Sequence, residues 1–180
     1  MKPWPAGRIA FVLALGLPAM LAASHPFPPN YDMRLLVELR TDIVEAGSTF
    51  HGVLRVFRGG ATTTESQQLP QGGRCGYREV GLASATPAAI AALERMLVAQ
   101  QVAQQTGGCG LARDPRPVHT VTWVGRNGRR RNTFAVGSDY HTDCPVEVRV
   151  IVSEIQYFDK VLFGPDHRAT FAGPTCPSAQ

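Results

Sequence analysis

Apolar and polar residues alternate along the first part of the chain in a way that predicts two paired strands. Leu35 to Leu39 is an apolar run broken by one glutamate, which is typical of a strand. From Thr49 to Arg58 apolar residues recur on both alternating faces, which indicates a strand in the interior of a sheet. Turn residues from Glu45 to Ser48 separate the two runs, so we expect a hairpin.

The next stretch predicts a loop, a short strand and then a helix. Gly59 to Arg74 is polar and rich in glycine, which is typical of a long surface loop. A short strand is expected from Cys75 to Val80. Thr86 and Pro87 suit the N-cap and the first position of a helix. The apolar positions that follow have helical spacing and would pack on the sheet: Ile90, Leu93 and Leu97.

A second hairpin is expected farther along the chain. Val118 to Val124 and Arg131 to Val136 predict its strands, and Asn127-Gly128 tolerates the positive φ of a tight turn. Four arginines cluster at this turn: Arg126, Arg129, Arg130 and Arg131. A basic finger for an anionic partner is one interpretation. Because no aromatic residues are interleaved, a solvated tip is favoured.

Residues 146–163 fit two patterns. The valines at 146, 148, 150 and 152 alternate as in a strand, whereas an overlapping apolar set has helical spacing: Val148, Val152, Ile155, Phe158 and Leu162. Pro145 suits the start of a helix and the segment exceeds a typical strand in length, so a helix is favoured. A Gly-Pro pair ends it, and residues 165–180 are expected to be a C-terminal tail.

This order of elements predicts an α+β fold. We expect an antiparallel sheet of about four to five strands with two helices on one face. The length after the N-terminal region suits one domain, placed at 33–164 and braced by disulfides.

Residues 1–23 predict a secretory signal peptide. Lys2 and Arg8 supply its basic region, the apolar run is too short for a membrane span, and small residues follow for cleavage. A Pro-rich leader is expected at 24–32. The protein is therefore expected to be secreted or periplasmic, with no membrane span after cleavage. Loss of Lys2 and Arg8 lowers the formal charge from +4 to +2, which does not indicate nucleic acid binding.

All four cysteines lie in the part that would be exported: Cys75, Cys109, Cys144 and Cys176. An even count in an oxidising compartment predicts two disulfides, for which three pairings are possible. The chain has no C-x-x-C motif, so a thioredoxin-like role is not expected.

No catalytic constellation stands out, and we do not expect an enzyme. A serine hydrolase of the nucleophile-elbow type would carry G-x-S-x-G, which this sequence lacks. Alternating donors from Asp139 to Cys144 do not have the ligand spacing of a metal site. No metal or other cofactor is therefore predicted.

The segment Cys109-Gly110-Leu111-Ala112-Arg113-Asp114-Pro115 resembles the reactive-site loop of the Streptomyces subtilisin inhibitor family. That loop has a cysteine, two residues, the scissile bond and then an Asp-Pro. A hairpin with arginines and a closing cysteine follows in the family, as it does here through Cys144. The resemblance implies a secreted α+β inhibitor whose extended loop binds a serine protease like a substrate but is cleaved very slowly.

The resemblance also assigns roles to residues of the loop. Leu111 would enter the primary specificity pocket of the protease, and Ala112 would follow the scissile bond. Arg113, Asp114 and Pro115 would complete a loop that a disulfide between Cys109 and Cys144 braces. An apolar Leu111 implies a subtilisin-like or chymotrypsin-like partner. Cys75 and Cys176 do not match the family's second disulfide, so their pairing is left open.

We therefore expect a non-enzymatic binding protein, with serine protease inhibition through Leu111-Ala112 as the first hypothesis. The alternative is an envelope structural or protein-interaction domain without inhibitory activity. A Cys109–Cys144 pairing would support the first hypothesis, and a buried Leu111 would oppose it.

Overall fold

The computed structural model describes residues 32–45, 48–70, 75–111, 118–164 and 170–176. The strands in this part are β1 (Leu35–Glu45), β2 (Ser48–Phe57), β3 (Ala61–Pro70), β4 (Gly76–Ser84), β5 (Gly108–Cys109), β6 (His119–Val124), β7 (Arg131–Val136) and β8 (Phe171–Thr175). The α-helices are α1 (Pro87–Ala99), α2 (Tyr140–Asp143) and α3 (Val146–Leu162), and a 3₁₀ turn covers Val102–Gln104. The predicted signal peptide and all of the predicted leader except Asp32 lie outside the described residues.

The eight strands form one sheet in the order β5-β7-β6-β1-β2-β3-β4-β8. Neighbouring strands are antiparallel except β5 and β7, which are parallel. The predicted fold, an antiparallel sheet of four to five strands with two helices, is therefore wrong. The described chain folds as a sheet-dominated structure, with one mixed sheet of eight strands and three helices.

Two of the additional strands come from segments that the sequence pattern assigned to other structures. β3 occupies most of the predicted surface loop, where it pairs with β2 on one side and β4 on the other. Its three consecutive threonines are β-branched and fit a pleated surface, although they are polar. β8 lies in the predicted tail and pairs with the outer edge of β4.

The predicted helices are present at α1 and α3. The Thr86 side chain accepts a hydrogen bond from the Ala89 backbone at 3.2 Å, which caps the start of α1. Val146–Leu162 is helical throughout, so the helical interpretation of this segment is confirmed. None of the described helices is long and apolar enough to cross a membrane.

The second predicted hairpin is formed by β6 and β7, but its turn differs from the expected type. Gly128 has a φ of 68°, whereas Asn127 does not have a positive φ. The Gly128 backbone donates to the Gly125 carbonyl at 2.9 Å, and Gly125 in turn donates to Arg130 at 2.7 Å. The connection is therefore longer than two residues.

The core lies between one face of the sheet and the two long helices. Its buried strand residues come from four strands: Leu36, Val37, Leu39, Leu54, Val56, Val121, Trp123, Phe134 and Val136. The helices contribute Ile90, Leu93, Leu97, Val148, Ile151, Val152 and Ile155. On the opposite face, charged side chains pair across neighbouring strands, as Arg55 does with Glu38 at 2.8 Å. The alternation of a strand places these charges away from the core.

Candidate functional site

Both disulfides are formed in the structure. Cys109 is bonded to Cys144 with an S–S distance of 2.01 Å, which is the pairing that the family resemblance implied. Cys75 is bonded to Cys176, which joins the start of β4 to the end of β8. No described cysteine is free. The first disulfide stands at the point where the chain leaves β5 and enters the candidate loop.

Main-chain hydrogen bonds hold the first end of this loop. Gly108 and Cys109 lie beside Ala135 and Val136 in the parallel pairing of β5 with β7. The Ala135 backbone donates to the Gly107 carbonyl at 3.2 Å, and Gly137 donates to the Cys109 carbonyl at 2.8 Å. The loop therefore departs from a segment fixed by both a covalent and a hydrogen-bonded link.

Two glycines allow the backbone to pack closely at this end. Gly110 is buried and has a φ of 65°, a conformation that favours glycine. A Cβ on Gly110 would lie 2.9 Å from the Tyr140 nitrogen. A Cβ on Gly137 would overlap the Gly110 carbonyl oxygen, so a side chain there would displace the backbone at Gly110. The sequence does not reveal this pair, because single glycines carry no signal of which backbone they approach.

Leu111 is half-buried, and its side chain lies over Gly108. A Cβ on Gly108 would lie 2.5 Å from the Leu111 Cδ1 atom, so the absence of a side chain at 108 makes room for it. The remaining predicted loop residues lie outside the described part of the chain: Ala112, Arg113, Asp114 and Pro115.

The second end of the loop is held by β1. The Val118 carbonyl accepts a hydrogen bond from the Asp42 backbone at 2.9 Å, immediately before β6 begins. The chain between Leu111 and Val118 thus connects two anchors on the same sheet, one beside β7 and the other beside β1.

A buried histidine and its hydrogen-bond partners lie next to the loop. His119 is 7% exposed, and its Nδ1 atom lies 3.0 Å from the Thr41 hydroxyl. Its Nε2 atom lies 3.4 Å from Gln156 Nε2, and Tyr140 donates to Gln156 Oε1 at 3.1 Å. Burial lowers the pKa of His119, and the nearby His141 lowers it further. The sequence does not reveal that His119 is buried with these partners, because a histidine at the start of a strand has no distinctive pattern.

The arginine cluster at the β6–β7 turn is divided in the structure. Arg126 donates two hydrogen bonds to the Glu94 carboxylate, at 2.9 and 3.0 Å, and Arg58 donates a third at 2.7 Å. The hydrogen bond from Arg126 is the largest cause of the lowered pKa of Glu94. Arg129 to Arg131 are exposed. The cluster therefore serves partly as a link between the hairpin and α1.

The described residues contain no group of three or more histidine, cysteine, aspartate or glutamate side chains placed to hold a metal ion. Cys144, the last donor of the run from Asp139, is engaged in a disulfide. His141 and Asp143 from the same run are exposed on the short helix α2.

Comparison with known proteins reveals no relative. No protein-family model, curated protein or solved structure matches the chain. Its function is therefore inferred from its own residues.

Proposed function

We propose that this protein is a serine protease inhibitor that presents Leu111-Ala112 to the enzyme as a slowly cleaved substrate. The observation that carries the proposal is the double anchoring of the loop. One end is held by the Cys109–Cys144 disulfide and by β7, and the other by the bond between Val118 and Asp42. The similarity of residues 109–115 to the reactive-site loop of the subtilisin inhibitor family gives the register.

Anchoring favours inhibition for a thermodynamic reason. A peptide loses conformational freedom when a protease binds it in an extended form, and this loss opposes binding. A loop that is already restrained by a disulfide and two sets of backbone bonds loses less. The same restraints keep the two new chain ends together after cleavage, which favours resealing of the bond over release.

The side chain at 111 fits an apolar specificity pocket. Moving a leucine side chain from water into such a pocket contributes about 1.5–3 kcal/mol. Because Leu111 rests over Gly108 in the free protein, it has to turn away from that contact when the protease binds. A subtilisin-like or chymotrypsin-like enzyme accepts such a residue. The proposed setting is outside the cytoplasm, where the two disulfides persist.

A protein-interaction domain without inhibitory activity is the second candidate. An apolar groove of about 470 Å³ lies between α1 and α3. Tyr157 and Val161 line it and are 64% and 63% exposed. Exposed apolar surface of this kind is common where proteins bind one another.

Titration of the purified, oxidised protein against subtilisin and chymotrypsin tests the proposal. We expect stoichiometric inhibition of at least one enzyme by the wild type. Leu111→Asp would place a negative charge in the apolar specificity pocket of the protease and should abolish inhibition. Leu69→Asp is the matched control, because Leu69 lies on β3 and is 40% exposed. It should inhibit like the wild type.

Folding has to be verified for each variant by circular dichroism before inhibition is compared. A folded wild type that inhibits neither enzyme would overturn the proposal and favour the interaction domain. Equal loss of inhibition in Leu111→Asp and Leu69→Asp would also contradict it, since the contact would then not depend on the loop.

A further inference from the structure

A polar cavity of about 290 Å³ lies on the face of the sheet that α1 and α3 do not cover. Strands β1, β2 and β3 line this open-face cavity with Arg40, Asp42, His51, Val53, Glu65 and Gln67. We infer that it binds a small sugar acid, a ligand with one carboxylate and several hydroxyl groups. Because the cavity contains no residue of the candidate loop, this inference goes beyond the proposed function and does not depend on it.

The register of the strands brings these side chains together. They form two rows across β1, β2 and β3, with Arg40, Val53 and Glu65 in one row and Asp42, His51 and Gln67 in the next. Side chains of directly opposed residues lie on the same face of a sheet. Leu39 and Leu54, which alternate with them, are buried against the helices on the other face. The apolar Val53 therefore lies on the middle strand with polar side chains around it.

Most of the charged side chains in the lining already have a partner. The pairs are Asp42 with His51, Glu65 with Arg78, and Glu38 with Arg55, which completes the lining. The Arg40 side chain makes no ion pair or hydrogen bond with another described residue. Its guanidinium is thus the charged group of the described lining that is left to bind a ligand.

A carboxylate is the group that matches Arg40. Two N–H groups of a guanidinium lie parallel and donate to the two oxygens of a carboxylate at once. The side chain is exposed, so a ligand reaches it without displacing a protein contact. The carboxylate of the ligand is therefore assigned to this side of the cavity.

His51 and Gln67 suit hydroxyl groups. Since the Asp42 carboxylate only accepts, the hydrogen of the His51 ring lies on Nδ1, and Nε2 has no partner among the described residues. Nε2 accepts in the neutral ring and donates in the protonated ring. The Gln67 amide, which is also without a described partner, both donates and accepts. A hydroxyl group does the same, so it satisfies each of them in either state.

The centre and the size of the cavity fit a single sugar unit. A sugar ring has polar edges and apolar C–H faces, so it can rest on the half-buried Val53 while its hydroxyl groups meet the polar rim. Small-molecule sites commonly have volumes of about 300–1,000 Å³. The open-face cavity lies at the lower end of this range, which favours a ligand of one ring.

Titration of the purified, oxidised protein with D-glucuronate and with D-glucose, followed by NMR, tests the inference. The two probes share their ring and differ at C6, which is a carboxylate in the first and a hydroxymethyl group in the second. Glucuronate should shift the amide signals of Arg40, Val53 and Gln67 with saturation. We expect a dissociation constant on the order of 1 mM, the ordinary ligand efficiency for about thirteen non-hydrogen atoms. Glucose should bind about tenfold more weakly, because it lacks the charge-assisted hydrogen bonds to Arg40.

Two variants with the same net charge separate the site from general attraction of anions. Arg40→Gln should bind both probes with the weak affinity of glucose. Arg129→Gln removes an exposed arginine at the β6–β7 turn and should keep the wild-type preference for glucuronate. The spectra of the free variants also report whether each one is folded.

Three results would overturn the inference: no saturating shift with glucuronate, equal binding of the two probes by the wild type, or an equal loss in Arg40→Gln and Arg129→Gln. The last result would show an attraction of anions to the whole protein. Protease titration of the same samples reports the proposed function separately. A protein that binds glucuronate through Arg40 and inhibits neither protease would keep this inference and overturn the proposed function.

Discussion

The two halves of the sheet are held together in different ways. In the covered half, defined here as β5, β7, β6, β1 and β2, apolar side chains pack against α1 and α3. In the outer half, β3, β4 and β8, the buried side chains among the described residues are Ala61 and Thr62. The outer half is held instead by backbone pairing, by the Cys75–Cys176 disulfide and by Phe163, which lies over Gly81.

This difference explains where the candidate loop is placed. The loop leaves and re-enters the covered half, where the packed core keeps both anchors in fixed positions. Binding loops generally require a rigid scaffold of this kind. The outer half extends the sheet without contributing to either anchor. Stability and inhibition should therefore respond differently to changes in the two halves.

The largest effect is expected from removing the disulfide of the outer half. Cys75 and Cys176 are 101 residues apart, and opening so long a loop costs about 4–5 kcal/mol in the chain-entropy description. We expect the double variant Cys75→Ser, Cys176→Ser to lose that amount in urea unfolding. In the native state, amide hydrogen exchange should accelerate in β8 and β4 and remain slow in β6 and β7.

The matched variant removes the other disulfide, through Cys109→Ser and Cys144→Ser. Its 35-residue separation predicts a cost of about 4 kcal/mol. Here β8 should stay protected, and the loop should be cleaved by subtilisin as an ordinary substrate. Equal acceleration of exchange across all strands in either variant would show that the sheet opens as a single unit, and the distinction between the halves would fail.

Truncating one leucine in each half sharpens the comparison. Leu97 on α1 is fully buried against the covered half, so Leu97→Ala should cost about 3 kcal/mol through lost packing and the cavity left behind. Leu69→Ala in the outer half should cost less than about 1 kcal/mol, because that side chain is 40% exposed. Urea unfolding at pH 7 measures both. Similar losses for the two variants would mean that Leu69 is packed as well as Leu97.

Sequence patterns predicted the covered half far better than the outer half. The strands of the covered half have alternating or continuous apolar residues, and its helices bury one apolar face. The pattern of apolar residues therefore predicts which elements form the core. β3 lies between two strands, but of its described side chains only Ala61 and Thr62, at its start, are buried. Its polar sequence is therefore indistinguishable from that of a loop. β8 contains Pro174, which an edge strand tolerates and which argues against a strand when read alone.

Only the loop segment of the candidate site and its disulfide were predictable from the sequence. The four cysteines and the residues from 109 to 115 are visible in the sequence, and they led to the loop and its first disulfide. The closeness of Gly110 to Gly137 depends on how β5 meets β7, and the pairing of His119 with Gln156 depends on how β6 meets α3. Contacts between segments so distant in the chain leave no local pattern.

The smallest effect compares one ion pair from each half. Glu94 joins Arg58 and Arg126 in the covered half, and its side chain is only 15% exposed. Glu94→Gln leaves the 8%-exposed Arg58 without its anion and should cost about 2 kcal/mol at pH 7. Glu65→Gln, which breaks the pair with Arg78 in the outer half, should cost less than about 1 kcal/mol, because both side chains are about a third exposed or more.

The pH dependence of the stability of Glu94→Gln tests whether the charge of Glu94 causes the predicted loss. The pKa of Glu94 lies below its ordinary value of 4.5 in the folded protein, chiefly because Arg126 donates to it. As the pH falls, Glu94 is therefore protonated in the unfolded state before it is protonated in the folded state. The stabilisation from the Glu94 carboxylate is complete above pH 4.5 and is lost as the pH falls through its lower pKa in the folded protein. The difference between wild type and Glu94→Gln in urea unfolding should accordingly shrink from pH 7 to pH 3. A difference that stays constant over this range would show that the carboxylate contributes through its shape and packing, and not through its charge.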